Sequence, residues 1–555
     1  MNIFAGNFSE KINTAVKKIN DANVVNRIWN KDFTLWSSKP DEVVNRLGWL
    51  VSPDVTQKSV SEIIDFVNQI QKEGFTHALL MGMGGSSLAP EVFRLTFGVK
   101  EKFLDLSVID TTEPSTILSF DNKLDPAKTL YIVSTKSGGT VETISFMKYF
   151  YNSVMKKLGK EKVSQHFIAI TDPGSGLEQM AKDLKFRKIF LNDPEIGGRY
   201  SALSLFGIVP AALVGIDIST LLSTARTEAD ACKISGDKNK AALLGAALGV
   251  FADEGKDKVT FFCSKVIASF GGWVEQLVAE STGKIGKGIL PVDIEELSGI
   301  DSYGNDRVFV FLRLKDDYSI DKIAGELKNS GHPVIEIILN DIYDLSREFF
   351  RWEFATAVAS WFIKVQPFDQ PNVEEAKIIA RKMVKEYQEN GKLPELIPSI
   401  DEPGMKVYGE VTVKEVKDVL SEFLDSVVSG KSYVAIQAYL PVDEKIFSSL
   451  QKLRIKILKK YKIATTVGFG PRFLHSTGQL HKGDSGNGYF IQLISASRND
   501  AEIPDTAGED SSTISFGVLI RAQALGDRQA LLDNNRKVIT IDINGDIEKK
   551  IEGLI

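Results

Sequence analysis

From residue 47 onward, the chain alternates short, almost wholly apolar runs with longer amphipathic stretches. Each run ends in turn residues, which is typical of strands buried on both faces of a parallel sheet. The first series of runs is 77–83, 106–110, 129–134, 166–171 and 188–191, and the second is 259–264, 307–314 and 333–339. Intervening segments such as 141–158 and 268–281 have helical periodicity. The pattern predicts an α/β protein with two doubly wound parallel-sheet domains.

The same pattern divides the chain into five segments. We expect an N-terminal helical extension (1–46), a first sheet domain (47–225), a second with its C-terminal helix (226–390), a Pro-punctuated connector (391–430) and a smaller C-terminal α/β unit (431–555). In the last unit, the basic segment LQKLRIKILKKYK fits either a membrane-surface helix or a packed helix with a solvated basic face. Its alternating Leu and Ile positions favour the packed helix.

Composition narrows the class of protein. The chain has 67 Lys+Arg against 73 Asp+Glu, a net charge of −6, which disfavours a nucleic-acid binder because phosphate recognition needs a basic face. Two cysteines, Cys232 and Cys263, offer neither a disulfide framework nor metal-ligand spacing. The N-terminal residues lack a signal-peptide pattern, and the apolar run 206–216 is far shorter than the ~20 residues of a membrane-spanning helix. We expect a cytoplasmic protein without nucleic-acid or membrane partners.

Two glycine- and hydroxyl-rich turns follow strands of the first domain. The first, GMGGSS (82–87), could bind an anion or be a plain capped turn, and the dinucleotide fingerprint fails where Ser87 replaces its third glycine. The second, STKSGGT (134–140), combines hydroxyls, an ammonium and a helix N-terminus, which together favour an anion nest. It is not a Walker A loop, because Lys136 precedes the glycines. The turns predict a small anionic substrate.

Three further places could carry chemistry. Arg199 in GGRYS either clamps an oxyanion or lies on a surface turn. Gln276 and Glu280 are spaced i, i+4 and share a helix face, although an isolated glutamate there is usually solvated. His475 and His481 lie in the glycine-rich loop GPRFLHSTGQLHKGDSGNG, where imidazole chemistry is plausible. No histidines pair with carboxylates at metal-ligand spacing, and GxSxG is absent, so metal-dependent and serine-hydrolase chemistry are disfavoured.

The blocks GMGGSSLAP, STKSGGTVET, GGRYSALS, EQLVAESTGK and PFDQPNVEEAK together resemble the glucose-6-phosphate isomerase family in their order and spacing. The loop FLHSTGQLHKG resembles that family's catalytic histidine block. The resemblance implies paired sugar-isomerase (SIS) domains and reversible interconversion of glucose 6-phosphate and fructose 6-phosphate through an enediol(ate), in glycolysis and gluconeogenesis. It implies catalytic roles for Glu280, His475, Lys377 and Arg199, and substrate or phosphate binding by Gly85, Ser86, Thr135, Lys136, Ser137, Thr140, Gln276 and Gln370. No metal ion and no organic cofactor are expected.

The resemblance also assigns the individual roles. Glu280 would move the proton between C1 and C2, Arg199 would stabilise the enediolate, and His475 with Lys377 would open the sugar ring. The chemistry agrees, because metal-free aldose–ketose isomerisation needs a carboxylate that takes a proton next to a carbonyl and a donor or cation that holds the enediolate. An imidazole with an ordinary pKa of ~6.5 suits ring opening.

One departure from the family pattern concerns order along the chain. Here the order is Glu280, Lys377, His475, whereas the usual order places the histidine before the lysine. The new order resembles the isomerase half of fused transaldolase–glucose-6-phosphate isomerase proteins, but residues 1–46 cannot hold a barrel of roughly 250 residues. In the ordinary family the histidine comes from the neighbouring subunit of a homodimer, and the relocation puts that arrangement in doubt.

Three alternatives are open at this point. One is an isomerase that also accepts mannose 6-phosphate, and another is an enzyme for an amino-sugar phosphate. The third is a non-catalytic sensor of sugar phosphates, because sugar-isomerase domains also serve in regulators. All three share the same small-molecule ligand class.

Overall fold

The computed structural model describes residues 1–236, 238–497 and 499–554. Within those ranges the strands form two five-stranded sheets, one six-stranded sheet and one two-stranded ladder. Most neighbouring strands in the three large sheets are parallel, and helices connect them, which confirms the predicted α/β class. No helix in the described part of the chain has the length and hydrophobicity that a membrane span requires.

The first residues of the chain dock onto both sheet units, since residues 2–4 pair with a strand of the second and Phe66 contacts Phe190 of the first. They form β1 (Asn2–Phe4), α1 (Ser9–Asp21), α2 (Val24–Trp29), α3 (Ser52–Gln57) and α4 (Val60–Lys72). Trp29 and Trp36 donate their indole N–H groups to the carbonyls of Cys232 (3.1 Å) and Ala357 (2.9 Å). The extension is therefore part of the packed molecule rather than a free tail.

The first sheet unit is wholly parallel, with strand order β3-β2-β4-β5-β6. Its elements are β2 (His77–Gly82), α5 (Leu88–Phe97), β3 (Asp105–Ile109), α6 (Pro114–Lys123), β4 (Thr129–Ser134), α7 (Val141–Leu158), α8 (Lys160–Val163), β5 (Phe167–Thr171), α9 (Gly176–Asp183), β6 (Lys188–Leu191) and α10 (Leu205–Leu213). On β2, Ala78 and Leu80 face one core while Leu79 and Met81 face the other. Both faces are covered, which is why the runs are continuously apolar.

The second sheet unit has the order β1-β10-β9-β7-β8, in which β1 alone is antiparallel to its neighbour. Its elements are α11 (Ile218–Ala231), α12 (Lys240–Asp253), β7 (Lys258–Cys263), α13 (Phe270–Thr282), β8 (Leu290–Val292), β9 (Arg307–Leu314), α14 (Asp321–Asn329), β10 (Val334–Leu339), α15 (Leu345–Phe362) and α16 (Pro371–Asn390). One apolar cluster runs through both the first and second units. The expected boundary at residue 225 therefore falls inside α11, a helix of this shared core.

The third unit has the order β11-β12-β18-β15-β13-β14, and its last four strands in this order are mutually parallel. Its elements are β11 (Ile400–Glu402), β12 (Met405–Tyr408), α17 (Val416–Phe423), β13 (Tyr433–Tyr439), α18 (Glu444–Tyr461), β14 (Ala464–Phe469), α19 (Gly478–Gly483), β15 (Gly488–Ile494), β16 (Glu502–Pro504), β17 (Ser512–Ser515), α20 (Phe516–Asp533), β18 (Lys537–Ile543) and α21 (Ile547–Glu552). The segment expected as a connector thus contributes β11, β12 and α17. These two strands are too short to show an alternating pattern.

The basic segment of this unit is the packed helix α18. Its apolar residues Leu450, Leu453 and Ile457 are buried against the sheet, and Leu458 joins an apolar cluster of the second unit. Arg454 is fully buried on the same helix. The alternating Leu and Ile positions therefore belong to a helix that packs against both the third sheet and the second unit.

Candidate active site

All the predicted site residues except Arg199 line one cavity of about 990 Å³. The cavity lies where β2 and β4 end, against α13, α16 and the loop between β14 and α19. The carboxyl ends of parallel strands are where ligands usually bind in open α/β sheets. All three sheet units contribute to its walls, so packing between the units creates the cavity.

The turn after β2 brings two parts of the cavity into contact. A Cβ atom on Gly85 would lie 1.9 Å from the carbonyl oxygen of Gly198, so only glycine lets the two turns pack this closely. The packing holds the 3₁₀ turn Gly198–Tyr200, and with it Arg199, beneath the cavity. The carbonyl of Ser86 accepts a hydrogen bond from Ser134 Oγ (3.2 Å), which joins this turn to the end of β4.

The loop after β4 presents the hydroxyls expected to bind phosphate. Thr135 Oγ1 and Thr140 Oγ1 lie 3.0 Å apart, and the amide of Gly139 donates to Ser137 Oγ (3.3 Å). Gly138 has a φ of +72°, and a Cβ there would lie 2.2 Å from the amide nitrogen of Leu177. The loop also leads directly into the N-terminus of α7, which favours a bound anion.

Lys136 does not stand free in this loop. Its Nζ forms a short ion pair with Asp172 and donates to the carbonyl of Pro194 (2.7 Å). The pKa of Asp172 is nevertheless raised, because burial outweighs the attraction of Lys136. Lys136 lines the cavity as predicted, but its ammonium ties the loop to the turns after β5 and β6.

Glu280 is held by the two neighbours that the sequence predicted. Its Oε1 lies 3.1 Å from Arg199 Nη1, and its Oε2 accepts a hydrogen bond from Gln276 Nε2 (3.1 Å). Glu280 and Gln276 lie one turn apart on α13, and only 9% of the Glu280 surface is exposed. A buried carboxylate beside a guanidinium, at the wall of a cavity, is a suitable general base.

Arg199 is enclosed by oxygen acceptors, with 3% of its surface exposed. It donates to Ser281 Oγ (2.9 Å), to Gln370 Oε1 (2.8 Å) and to the backbone carbonyl of Asp369 (3.0 Å). Gln370 immediately precedes α16, and Lys377 lies two turns further along that helix and lines the cavity. The PFDQP segment therefore positions the guanidinium next to Glu280.

His475 enters the cavity from the third unit, and its partner was not predicted. Its Nε2 lies 3.0 Å from Oε1 of Glu142, and its backbone carbonyl accepts from Gln276 Nε2 (2.8 Å). Gln523 Nε2 also donates to Glu142 (2.7 Å). Burial raises the pKa of the Glu142 carboxyl, but His475 and the nearby Lys377 outweigh it and hold that pKa below its ordinary value. The signal for Glu142 was present in STKSGGTVET, at the first turn of α7.

His481 does not reach the cavity, although the sequence singled it out beside His475. It is 2% exposed, with its ring near Tyr433, Phe473 and Phe490. Burial and the nearby Lys482 lower its pKa well below the ordinary value, so the ring stays neutral. His481 is a residue of the core of the third unit.

Comparisons with known proteins show which sequences this chain is similar to. A model of the phosphoglucose isomerase family matches residues 17–304. The glucose-6-phosphate isomerase of Carboxydothermus hydrogenoformans is 31% identical over 271 residues, which are 46% of this chain and 58% of that protein. A probable glucose-6-phosphate isomerase of Methanococcus maripaludis is 29% identical over 384 residues, 62% of this chain and 85% of that one.

Solved structures with the same fold include two that cover most of this chain. A hypothetical protein of Thermus thermophilus superposes with a TM-score of 0.59 at 22% identity, over 69% of this chain and 99% of that one. A glucose-6-phosphate isomerase of Chlamydia trachomatis superposes with a TM-score of 0.53 at 19% identity, over 60% of this chain and 74% of that one. At these identities the likeness concerns the fold.

Proposed function

This chain belongs to the phosphoglucose isomerase family, and we propose that it interconverts glucose 6-phosphate and fructose 6-phosphate. The observation that carries the proposal is the meeting of Glu280 and His475 in one cavity with the hydroxyl-rich loop after β4. A carboxylate, an imidazole and an anion-binding loop are the groups that metal-free isomerisation of a cyclic sugar phosphate needs.

Substrate binding would begin with the phosphate. The hydroxyls of Thr135, Ser137 and Thr140 and the N-terminus of α7 would hold the dianion, while Lys136 keeps the loop in place through Asp172. Gly85 and Ser86 line the neighbouring wall. Binding at this non-reacting end positions the sugar for the chemistry at C1 and C2.

Ring opening would follow, with His475 as the acid–base group and Lys377 as a nearby cation. Glu142 accepts from the imidazole and so fixes the orientation of the ring, as a carboxylate does in other histidine-based sites. The open chain then exposes a carbonyl next to the carbon whose proton must move.

Proton transfer between C1 and C2 would be the work of Glu280. The carboxylate takes the proton next to the carbonyl, and the resulting enediolate carries negative charge close to Arg199. Gln276 and Gln370 hold the carboxylate and the guanidinium in place. Returning the proton to the neighbouring carbon completes the conversion of aldose to ketose.

We infer further that the chain is of the type found as the isomerase half of fused transaldolase–isomerase proteins. The order Glu280, Lys377, His475 supports this, because the histidine lies on the third unit rather than between the other two groups. A chain of the common type would carry its histidine before the lysine.

The experiment is a coupled assay that follows formation of glucose 6-phosphate from fructose 6-phosphate, with mannose 6-phosphate as a second substrate. Glu280→Gln should lower kcat by about 10²–10⁴-fold while substrate binding is largely kept, because only the base is lost. Incorporation of solvent deuterium at C2 of the product should disappear with it.

Glu375→Gln is the matched control, because this exposed carboxylate contacts Asn534 outside the cavity. Binding of sugar phosphates without turnover by the wild-type protein would identify a sensor instead. Undiminished exchange in Glu280→Gln would remove Glu280 from the role of base.

A further inference from the structure

Lys284 follows the catalytic helix α13 and has no role in the scheme above. Its side chain is 4% exposed, although lysine is one of the residues that are least often buried. It does not reach the cavity. The contacts of this buried ammonium should therefore explain why it lies next to α13.

Those contacts are on the segment 366–370, which carries Gln370. Lys284 Nζ lies 2.8 Å from Asp369 Oδ1 and donates to the carbonyl of Gln366. On its other side, the same segment offers the carbonyls of Pro367 and Asp369 to Arg199. The segment therefore lies between two cations, one of which is the guanidinium beside Glu280.

The turn that carries Lys284 is itself strained and well anchored. Ile285 has a φ of +48°, a conformation that β-branched residues rarely adopt, and its side chain is 75% exposed. Lys284 and Lys287 form a backbone bridge, and the amide of Gly286 donates to the carbonyl of Gly483 (2.9 Å). Because the Ile285 side chain is exposed, burial of apolar surface does not offset this backbone strain. Backbone strain of this kind is concentrated at functional sites.

We propose that Lys284 is a positioning residue for isomerisation, which sets the 366–370 segment and through it the place of Arg199 beside Glu280. The inference rests on the proposed function. Loss of the Lys284 ammonium should therefore move Arg199 relative to Glu280 and leave the phosphate loop unchanged. Misplacement of catalytic groups by as little as ~1 Å can cost on the order of 100-fold in rate.

The ammonium of Lys284 is costly to bury. Burial, together with the repulsion of Arg199, lowers the pKa of Lys284 to about 7, so the site disfavours the ammonium that it contains. Asp369 is 36% exposed overall, but its Oδ1, the atom that faces Lys284, is buried. Methionine has a similar length, so Lys284→Met removes the charge with little change in packing, and its midpoint of thermal unfolding shows whether the variant is folded.

The test compares Lys284→Met with Lys287→Met. Lys287 is the matched control, because it lies on the same turn and also donates to a backbone carbonyl, that of Ile363 (2.6 Å), outside the 366–370 segment. We expect Lys284→Met to lower kcat on the order of 100-fold, with little change in KM or in inhibition by a non-isomerisable sugar phosphate. Lys287→Met should keep the wild-type kcat.

Hydrogen exchange gives a readout that needs no activity. The amides of Phe368 and Asp369 donate to Gln366 Oε1, so they report the order of the segment. Their exchange should be faster in Lys284→Met than in Lys287→Met. Wild-type kcat in folded Lys284→Met, or equal exchange in the two variants, would overturn the inference. Absence of isomerase activity in the wild-type protein would instead overturn the proposed function.

Discussion

Two hydrogen bonds hold His475 in place. Its ring contacts Glu142, and its backbone carbonyl accepts from Gln276. Ring opening and proton transfer are distinct steps, so they should separate on mutation. We predict that His475→Ala cuts turnover of cyclic glucose 6-phosphate severely but spares an open-chain substrate. Steady-state assays on the two substrates, with equal enzyme, measure the difference.

A control for this variant must be chosen from the structure. His481→Ala would open a cavity in the third unit, because the ring is buried, so loss of activity there would report folding. His77→Ala is better, since that ring lies at the start of β2 and contacts Thr76. Turnover of the cyclic substrate at the wild-type rate by His475→Ala would refute its role in ring opening.

The site residues that could be predicted from the sequence are those that form a pattern with their neighbours along the chain. Gln276 and Glu280 were predicted together because the spacing i, i+4 is visible in the sequence. Glu142 was missed because its partner lies 333 residues away, and an acidic residue in the first turn of a helix has an ordinary explanation in the helix dipole. Only the tertiary structure shows the pair.

At the scale of elements, α13 presents a second carboxylate away from the cavity. Glu275 Oε1 accepts from Ser476 Oγ (3.4 Å), and Ser476 follows His475. Burial, with the nearby Asp293, raises the pKa of Glu275 to about 8. Two residues of α13 thus form hydrogen bonds with the loop that carries His475. Gln276 lines the cavity, and Glu275 does not.

The raised pKa of Glu275 gives a pH-dependent stability whose sign can be worked out. Between the ordinary pKa of 4.5 and about 8, the folded protein holds a proton that the unfolded chain has lost. Its contribution to the free energy of unfolding therefore falls as pH rises through this window. We predict that Glu275→Gln removes this fall, so that its thermal midpoint exceeds that of the wild type increasingly from about pH 5 to about pH 8.

Scanning calorimetry of both proteins across that range is the measurement. Other buried carboxyls, such as Glu348, titrate in both proteins, so the difference between the two isolates Glu275. A difference in midpoint that stays constant with pH would contradict the assignment.

The elements that could be predicted are those with long or fully apolar patterns. The five strands of the first sheet and the helices α7 and α18 lie where periodicity placed them. The short strands β8, β11 and β12 were not predicted, because three or four residues cannot show a period. Their pairing depends on neighbours that are remote in the sequence.

At the scale of the molecule, one chain supplies every group of the proposed site. The phosphate loop belongs to the first unit, Glu280 and Lys377 to the second, and His475 to the third. The order of these blocks along the chain was visible in the sequence, but only the family resemblance implied their meeting, because packing between units leaves no periodic signal.

A site complete within one chain should not depend on association. We predict that specific activity stays constant when the enzyme is diluted through any dissociation of a homodimer, because this chain itself carries the groups of the proposed site. Activity measured alongside light scattering at each concentration tests this. A fall in specific activity that tracks dissociation would show that a second copy is needed.

The position of β18 in the third sheet has a consequence for synthesis on the ribosome. β12 and β15 both pair with β18, which the ribosome makes after either of them. The first two units can pack around their shared core while the six-stranded sheet is still incomplete, since domains generally fold as units during translation. The unit that carries His475 closes only when β18 emerges. Ring opening would therefore be the last catalytic capacity that a nascent chain acquires.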